Sequence, residues 1–425
     1  MSLGRLGGGI EFLRTRERLL MISILTVLVM AGQGVIGPVL PLFAKEFGVG
    51  AATIGLTLSV FALARMILNV PLGLLSDRYG RRLLLVGGPL VTAAGMVGSG
   101  FAQDIVQLLA WRFVAGAGSA MYQTGTMIFL TDISTPENRA RFIGTNQGAL
   151  LLGVSIGPAI GGVLAEGFGL RAPFYVVGLA ALVATAYAYL RLPETRPHSP
   201  RTADGPVEPG LALGLPAGRR RGWVGMVRSF DFMAVSAVTM ATFFTRTASQ
   251  QTMVPLLANA RLAMSPGVLG AVFTGMSVMN LLLIVPAALA TDRLGRKRVI
   301  VPSGLVVAAG LLLYAGAGGY AAFLLASAVF AFGSSIAGPA PAAYAADIAP
   351  EDARGLAMGL YRTSGDVGFV IGPPLLGLIA DATSFGWALS VNALLMAAMA
   401  LLFLFARETV RRQPAGARPA EGGDG

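Results

Sequence analysis

Long runs of apolar residues, separated by short polar stretches, divide the chain into twelve segments. They span residues 19–43, 52–75, 83–101, 106–130, 142–166, 172–192, 230–258, 266–290, 299–317, 320–346, 355–380 and 385–406. Most reach the roughly 20 residues that a helix needs to cross about 30 Å of hydrocarbon. The pattern therefore predicts an all-α membrane protein with twelve transmembrane helices. The basic start (Arg14, Arg16, Arg18) fits a signal peptide. The apolar run after it, however, passes residue 40, longer than an h-region of about 7–15 residues. The first span is accordingly read as a membrane helix.

Composition agrees and narrows the chemistry. Of 425 residues, 55% are hydrophobic and 12% charged, against roughly 25% charged in soluble domains. A soluble protein of this size could not cover its surface with so few charges. The chain has no cysteine and one histidine, His198. Disulfides, thiol chemistry and zinc–cysteine sites are excluded, a histidine metal site or Ser-His-Asp triad is not expected, and no metal site is proposed. Its two lysines, Lys45 and Lys297, do not follow glycine, so there is no Walker A motor. No cofactor is expected, and the energy source would be a gradient.

The net charge of +11 is explained by topology. With a cytoplasmic N-terminus, inner segments hold 25 of the 32 Lys and Arg, outer loops hold Lys45, Arg171 and Arg261, and four arginines lie within spans. This positive-inside bias puts both termini in the cytoplasm and makes a nucleic-acid partner unnecessary. Residues 193–229 carry six prolines and the run Arg219-Arg220-Arg221, and read as a flexible linker. The expected organisation is a cytoplasmic N-terminus (1–18), a six-helix bundle (19–192), a linker (193–229), a second six-helix bundle (230–406) and a disordered tail (407–425).

The halves repeat at an offset of 215 residues. Pro71 maps to Pro286, Asp77-Arg78 to Asp292-Arg293, Gly80-Arg81 to Gly295-Arg296, Asp132 to Asp347, Arg139 to Arg354, Gly144 to Gly359, Gly153 to Gly368, and Gly157-Pro158 to Gly372-Pro373. Six spans per copy is even, so the two repeats are parallel, related by an axis along the membrane normal.

Gly73-Leu-Leu-Ser-Asp77-Arg78-Tyr-Gly80-Arg81-Arg82 resembles the signature loop between helices 2 and 3 of the major facilitator superfamily, and Thr291-Asp292-Arg293-Leu-Gly295-Arg296-Lys297 is similar to its second copy. Leu108–Ala120, with Arg112 and Gly116, resembles the family's helix-4 arginine motif. Gly153-x3-Gly157-Pro158-x2-Gly161-Gly162 is similar to the helix-5 motif of its proton-coupled exporters, and Pro38-Val-Leu-Pro41 resembles the end of helix 1 in drug-exporter-like members. The second loop has Ala288 where Gly73 stands in the first, and helix 1 carries no acid.

Physical reading of these residues gives three groups of candidates. In the gate loops, Gly73, Asp77, Arg78, Gly80, Arg81, Asp292, Arg293, Gly295 and Arg296, a carboxylate can cap a helix start or pair with arginine. Asp77 is expected to dock near Gly355, at the start of helix 11, and Asp292 near the start of helix 5, closing the inner gate of an outward-facing state. The alternative is a local turn with solvated charges. Gly153, Gly157 and Gly161 share one helix face, with Gly162, Gly372 and Pro373 nearby in pattern; tight packing and a sliding face between halves are both open.

The third group is intramembrane. Charges at membrane depth suggest function. Asp366 is the one acid there, a candidate proton carrier with Arg112 and Arg362. An Arg362–Asp366 ion pair is the competing reading. Gln33, Arg65, Tyr122, Gln123, Arg246, Gln250 and Asn280 are cavity candidates, although hydrogen bonds between helices would also explain such polar residues. The resemblance implies alternating access and proton-coupled efflux of a small amphiphilic or drug-like molecule or metabolite, by a monomer in a bacterial inner membrane. The alternative is uptake or exchange of an organic anion drawn by the arginines. No catalytic cluster is present, so an enzyme is not expected.

Overall fold

The computed structural model describes residues 3–135, 138–194, 225–226, 228–338, 340–350 and 354–409. Most of the expected linker and the tail beyond residue 409 lie outside the described residues, as do the side chains of residues 3–15. Among the described residues there is helix and no strand. The first half comprises α1 (Leu3–Ile36, continued after a turn by Leu40–Lys45), α2 (Ala51–Tyr79), α3 (Arg81–Phe101), α4 (Ile105–Asp132), α5 (Arg139–Phe168) and α6 (Ala172–Arg191). In the second half, α7 runs through Phe230–Phe244, a π-helical stretch Thr245–Met253 and Val254–Leu262. It is followed by α8 (Pro266–Leu294), α9 (Arg296–Gly316), α10 (Tyr320–Ala337 and Ala340–Ile348), α11 (Arg354–Ala382) and α12 (Phe385–Leu402).

Ten helices among the described residues are long and apolar enough to cross a membrane; α4 and α7 are not among them. Those two carry Arg112, Tyr122 and Gln123, and Arg246, Gln250 and Gln251. Two expected boundaries need correction. The single helix over 19–43 is broken by the turn at Gly37–Val39, where Pro38 cannot donate. Glu194 and Arg407–Thr409, assigned to linker and tail, take part in the folded halves (below).

The repeat in sequence is a repeat in packing. Within the first half α3 lies on α4, α1 on α5, α2 on α4, and α3 on α6. Within the second half α9 lies on α10, α7 on α11, α8 on α10, and α9 on α12. Each pair recurs with six added to both members. The halves meet through α2 against α11 and α5 against α8, again a symmetric set. Without a hydrophobic drive between helices in lipid, small residues that let backbones approach hold such pairs. A Cβ on Gly95 would lie 2.5 Å from the Ala115 backbone, and one on its repeat mate Gly310 would lie 2.8 Å from Phe330.

Candidate functional site

The two signature loops are built alike. Gly80 (φ 95°) and Gly295 (φ 103°) take a backbone conformation that disfavours side chains, between α2 and α3 and between α8 and α9. That turn exposes the next helix's first N–H groups to a carboxylate from the end of the same half. Glu194 accepts from the N–H of Arg81 (3.0 Å) and Arg82 (3.1 Å). Glu408 accepts from those of Arg296 (2.9 Å) and Lys297 (3.2 Å). A Cβ on either glycine would strike that carboxylate, at 2.4 Å and 2.7 Å. Arg81 donates through Nε to Asp132 (2.8 Å) and through Nη1 to the Ser76 carbonyl (3.2 Å), and pairs with Asp77 at 3.4 Å. Arg296 repeats this with Asp347 (3.2 Å) and Asp292. Arg78 stacks over Tyr79, and Arg293 is exposed.

In this conformation, then, the gate carboxylates Asp77 and Asp292 are turned to their own loops. Their side chains are 69% and 66% exposed, and their ion pairs among the described residues are with their own half; the expected dock near Gly355 falls where side chains lie outside the described residues. At the end of the bundle that carries these loops, no hydrogen bond or ion pair among the described residues joins the two halves. Added Cβ atoms on Gly73, Gly144 and Gly359, toward that end, would meet nothing within 4 Å.

The far end is shut, and by the device expected at the loop end. Asp381, at the end of α11, accepts from the N–H of Ala51 (2.7 Å) and Ala52 (3.0 Å), capping α2 of the other half. Lys45 donates to Asn259 (2.9 Å), also across the halves. Below the cap the backbones touch. A Cβ on Gly55 would lie 2.5 Å from Pro373, one on Gly377 2.5 Å from Ala52, and one on Gly270 2.5 Å from the Pro158 carbonyl. Gly162 faces Pro266 and Gly270. The repeat mate of Asp381 is Glu166, and an added Cβ on Gly267, at the start of α8, would collide with its carboxylate.

Gly153, Gly157 and Gly161 do not line that seam. They face Val27, Gly34 and Val35 of α1 within the same half. Gly368 and Gly372 likewise face Met240 and Phe244 of α7. Tight packing is their role here, while Gly162 and Pro373 do meet the other half.

Between the halves three of the intramembrane charges, Arg65, Arg362 and Asp366, come near one another. Arg65 on α2 donates to Gln123 (3.0 Å), Gln123 to Ser119 (3.1 Å), and Gln33 to Ser119 (3.0 Å). Across the cleft, Asp366 and Arg362 on α11 are near enough to Arg65 to act on its charge. No ion pair within 4 Å joins Arg362 to Asp366 among the described residues; Arg362 is exposed and Asp366 half-buried. Arg246 sits on the π-helical stretch of α7 and is solvent-accessible although protein surrounds it. Such stretches are rare and recur at functional sites. Here Asn392 of α12 holds it, donating to Ser249 (2.6 Å) and accepting from Thr245 (3.2 Å). The side chains of Gln250 and Asn280 are half-buried and make no hydrogen bond among the described residues.

Two candidates are not in the cleft. Tyr122 is 1% exposed and bonded to Thr26 (2.6 Å), which also donates to Asn146 (2.7 Å). Arg112 is 3% exposed, donates to the Thr57 carbonyl (3.3 Å), and has its guanidinium 4.6 Å from the centre of the Phe61 ring. It is a cation sealed inside the first half. Asp381, Glu166, Glu194, Glu408 and Asn392 were not singled out from sequence. Glu166 and Asp381 obey the 215 offset, and that could have found them.

A family profile described as Major Facilitator Superfamily matches residues 22–259 and 234–423. The chain is 26% identical over 359 residues to the quinolone resistance protein NorA of Staphylococcus aureus, covering 83% of this chain and 87% of that protein. It is 24% identical over 356 residues to multidrug resistance protein 1 of Bacillus subtilis, covering 82% and 86%. In structure it resembles a bacterial homolog of the human lysosomal transporter Spinster, crystallised inward-facing and occupied, with TM-score 0.69 at 16% identity, covering 91% and 94%. Matched by the profile across both repeats, and built as two six-helix halves around a cleft, the chain is a multi-pass membrane transporter that belongs to the Major Facilitator Superfamily.

Proposed function

We propose that the protein is a proton-coupled exporter of small amphiphilic or drug-like molecules or metabolites, working as a monomer by alternating access in a bacterial inner membrane. One observation carries the reading: a cleft lined by Arg65, Gln123, Arg362 and Asp366 lies between repeat-related halves that are parted at one end and sealed at the other. Arginine placement supports a cytoplasmic position for the open, loop-bearing end, and so an inward-open state with both termini inside. The names of the relatives support export of drugs.

Asp366 is the titratable carboxyl within the cleft and takes the role of proton carrier. Arg112 acts from inside the first half, through α2 and α4. In inside-out proteoliposomes with an acidic lumen, dye should accumulate, and Asp366→Asn should lose the pH drive while keeping dye–dye exchange. Accumulation by Asp366→Asn equal to that of the unaltered protein would contradict the assignment.

A further inference from the structure

Two helices depart from regular α geometry at the same place in the repeat. In α1 the departure is the break at Gly37–Val39. In α7 it is the π-helical stretch Thr245–Met253, whose repeat mates are residues 30–38. Pro38 accounts for the first, but α7 has Met253 at that position, so no proline imposes the second. Nine residues is also long for a pitch that usually lasts a single turn. Something else must hold it.

The pitch shows in the side chains as well as in the backbone. The Val254 N–H donates to the Ser249 carbonyl, and the Thr252 hydroxyl to the Thr247 carbonyl (2.9 Å), each five residues back. Earlier in α7, Thr239 and Thr242 take the carbonyl four back, as α geometry allows. Accessibility follows the same period. Arg246, Gln250 and Gln251 are the accessible residues of the stretch, while Ser249, three after Arg246, is fully buried. An α-helix would instead group residues three and four apart.

The side chain that reaches the stretch from another helix is Asn392 of α12, itself buried, which donates to Ser249 and accepts from Thr245. Its repeat mate is Val177, which packs beside Gly32, the mate of Thr247. An amide thus stands where the first half has an aliphatic side chain. Without that amide, the hydroxyls of Thr245 and Ser249 would turn to carbonyls of their own helix, four residues back, which favours α pitch.

We infer that Asn392 is a positioning residue for the site of the carried molecule: it holds the α7 stretch at π pitch, and that pitch sets Arg246, Gln250 and Gln251 on one accessible face. None of the three makes a hydrogen bond or ion pair among the described residues, so their polar groups are left for a ligand rich in hydrogen-bond acceptors. The stretch packs against α2 of the first half as well as α11 and α12 of its own, which places this face at the seam between the halves. The inference rests on the transporter reading and needs no proton coupling.

The chain has no cysteine, so thiol labelling tests the pitch directly. Arg246→Cys, Ala248→Cys and Gln251→Cys are each treated with a membrane-impermeant maleimide in the purified full chain. Residues 246 and 251 should react, and residue 248, on the buried side, should not. Adding Asn392→Leu removes both hydrogen bonds at nearly constant volume, and at α pitch residues 246 and 251 cannot share a face. One of the two should then slow about ten-fold or more, with residue 248 still silent. Ethidium binding separates positioning from simple support. Gln251→Ala and Asn392→Leu should each weaken it about five-fold, and the double variant should bind no more weakly than either. Unchanged labelling at both positions, reaction at residue 248 as fast as at residue 246, or additive losses in the double variant would each overturn the inference. If Asn392→Leu fails to fold, Ser249→Ala, which removes one of the two bonds, should give the same labelling change. No ethidium binding by the unaltered protein would count against drug export instead, and the labelling would still decide the role of Asn392.

Discussion

The two ends of the bundle use the same chemistry and differ in whom it joins. At the loop-bearing end, Glu194 and Glu408 cap α3 and α9 of their own halves, and Asp77 and Asp292 pair with their own arginines. Among the described residues, the hydrogen bonds and ion pairs of these groups stay within one half. At the far end Asp381 caps α2 of the opposite half, with glycine-to-backbone contacts beneath it. A carboxylate on a helix start is worth about 0.5–2 kcal/mol wherever it is. Made within a half, it stabilises the fold in every state. Made across halves, it is present only when that end is shut, and so weights one conformation against another.

That distinction sets an order of effects. Gly55→Leu should be the most damaging change at the far end, because the side chain would meet the Pro373 backbone, which cannot move aside. Overpacking of about 1–3 kcal/mol aimed at one state should cut transport about ten-fold or more, with the protein still folded. Arg81→Ala should act on the fold instead. Arg81 is 9% exposed, and its loss removes a charged partner from Asp132 and a second donor from the Ser76 carbonyl, for a destabilisation of about 1–3 kcal/mol in denaturant unfolding. Its repeat mate Arg296 pairs with a more exposed Asp347, so Arg296→Ala should cost less.

Asp381→Ala should cost about 1 kcal/mol of the far-end seal and shift the conformational ratio about five-fold, read as faster labelling of a cysteine at residue 52. The mildest effect should come from Glu194→Gln, which keeps an acceptor at the start of α3 and loses only its charge. About 0.5 kcal/mol of stability and no change in labelling are expected. Equal labelling changes in the Asp381 and Glu194 variants would erase the difference between the ends.

Much of the architecture was legible in one dimension. Hydropathy gave the twelve spans because lipid imposes length on every helix, and the 215 offset gave the two halves because duplication keeps register. What escaped was local or depended on state. The break in α1 turns on Gly37-Pro38 inside an otherwise apolar run. The π-helical stretch of α7 depends on Asn392, over a hundred residues away in sequence. Glu194 and Glu408 lie 214 residues apart, one short of the offset, in stretches that composition assigned to linker and tail. The gate acids were read by their chemistry, but which helix start an acid caps depends on which end is closed. Tyr122 looked like a cavity residue because a phenol can face either water or a buried Thr26; sequence does not say which.

The central claim is that the two ends open in alternation. The chain has no cysteine, so spin labels can be placed in pairs without background: at Gly144 and Gly359 for the loop-bearing end, and at Glu46 and Leu262 for the far end. Pulsed electron–electron distances in lipid, taken across a pH series with and without Asp381→Ala, should show the first pair closing whenever the second opens. If the far-end distance lengthens while the loop-end distance stays fixed, or if both lengthen together, the halves do not exchange one closed end for the other and the account is wrong.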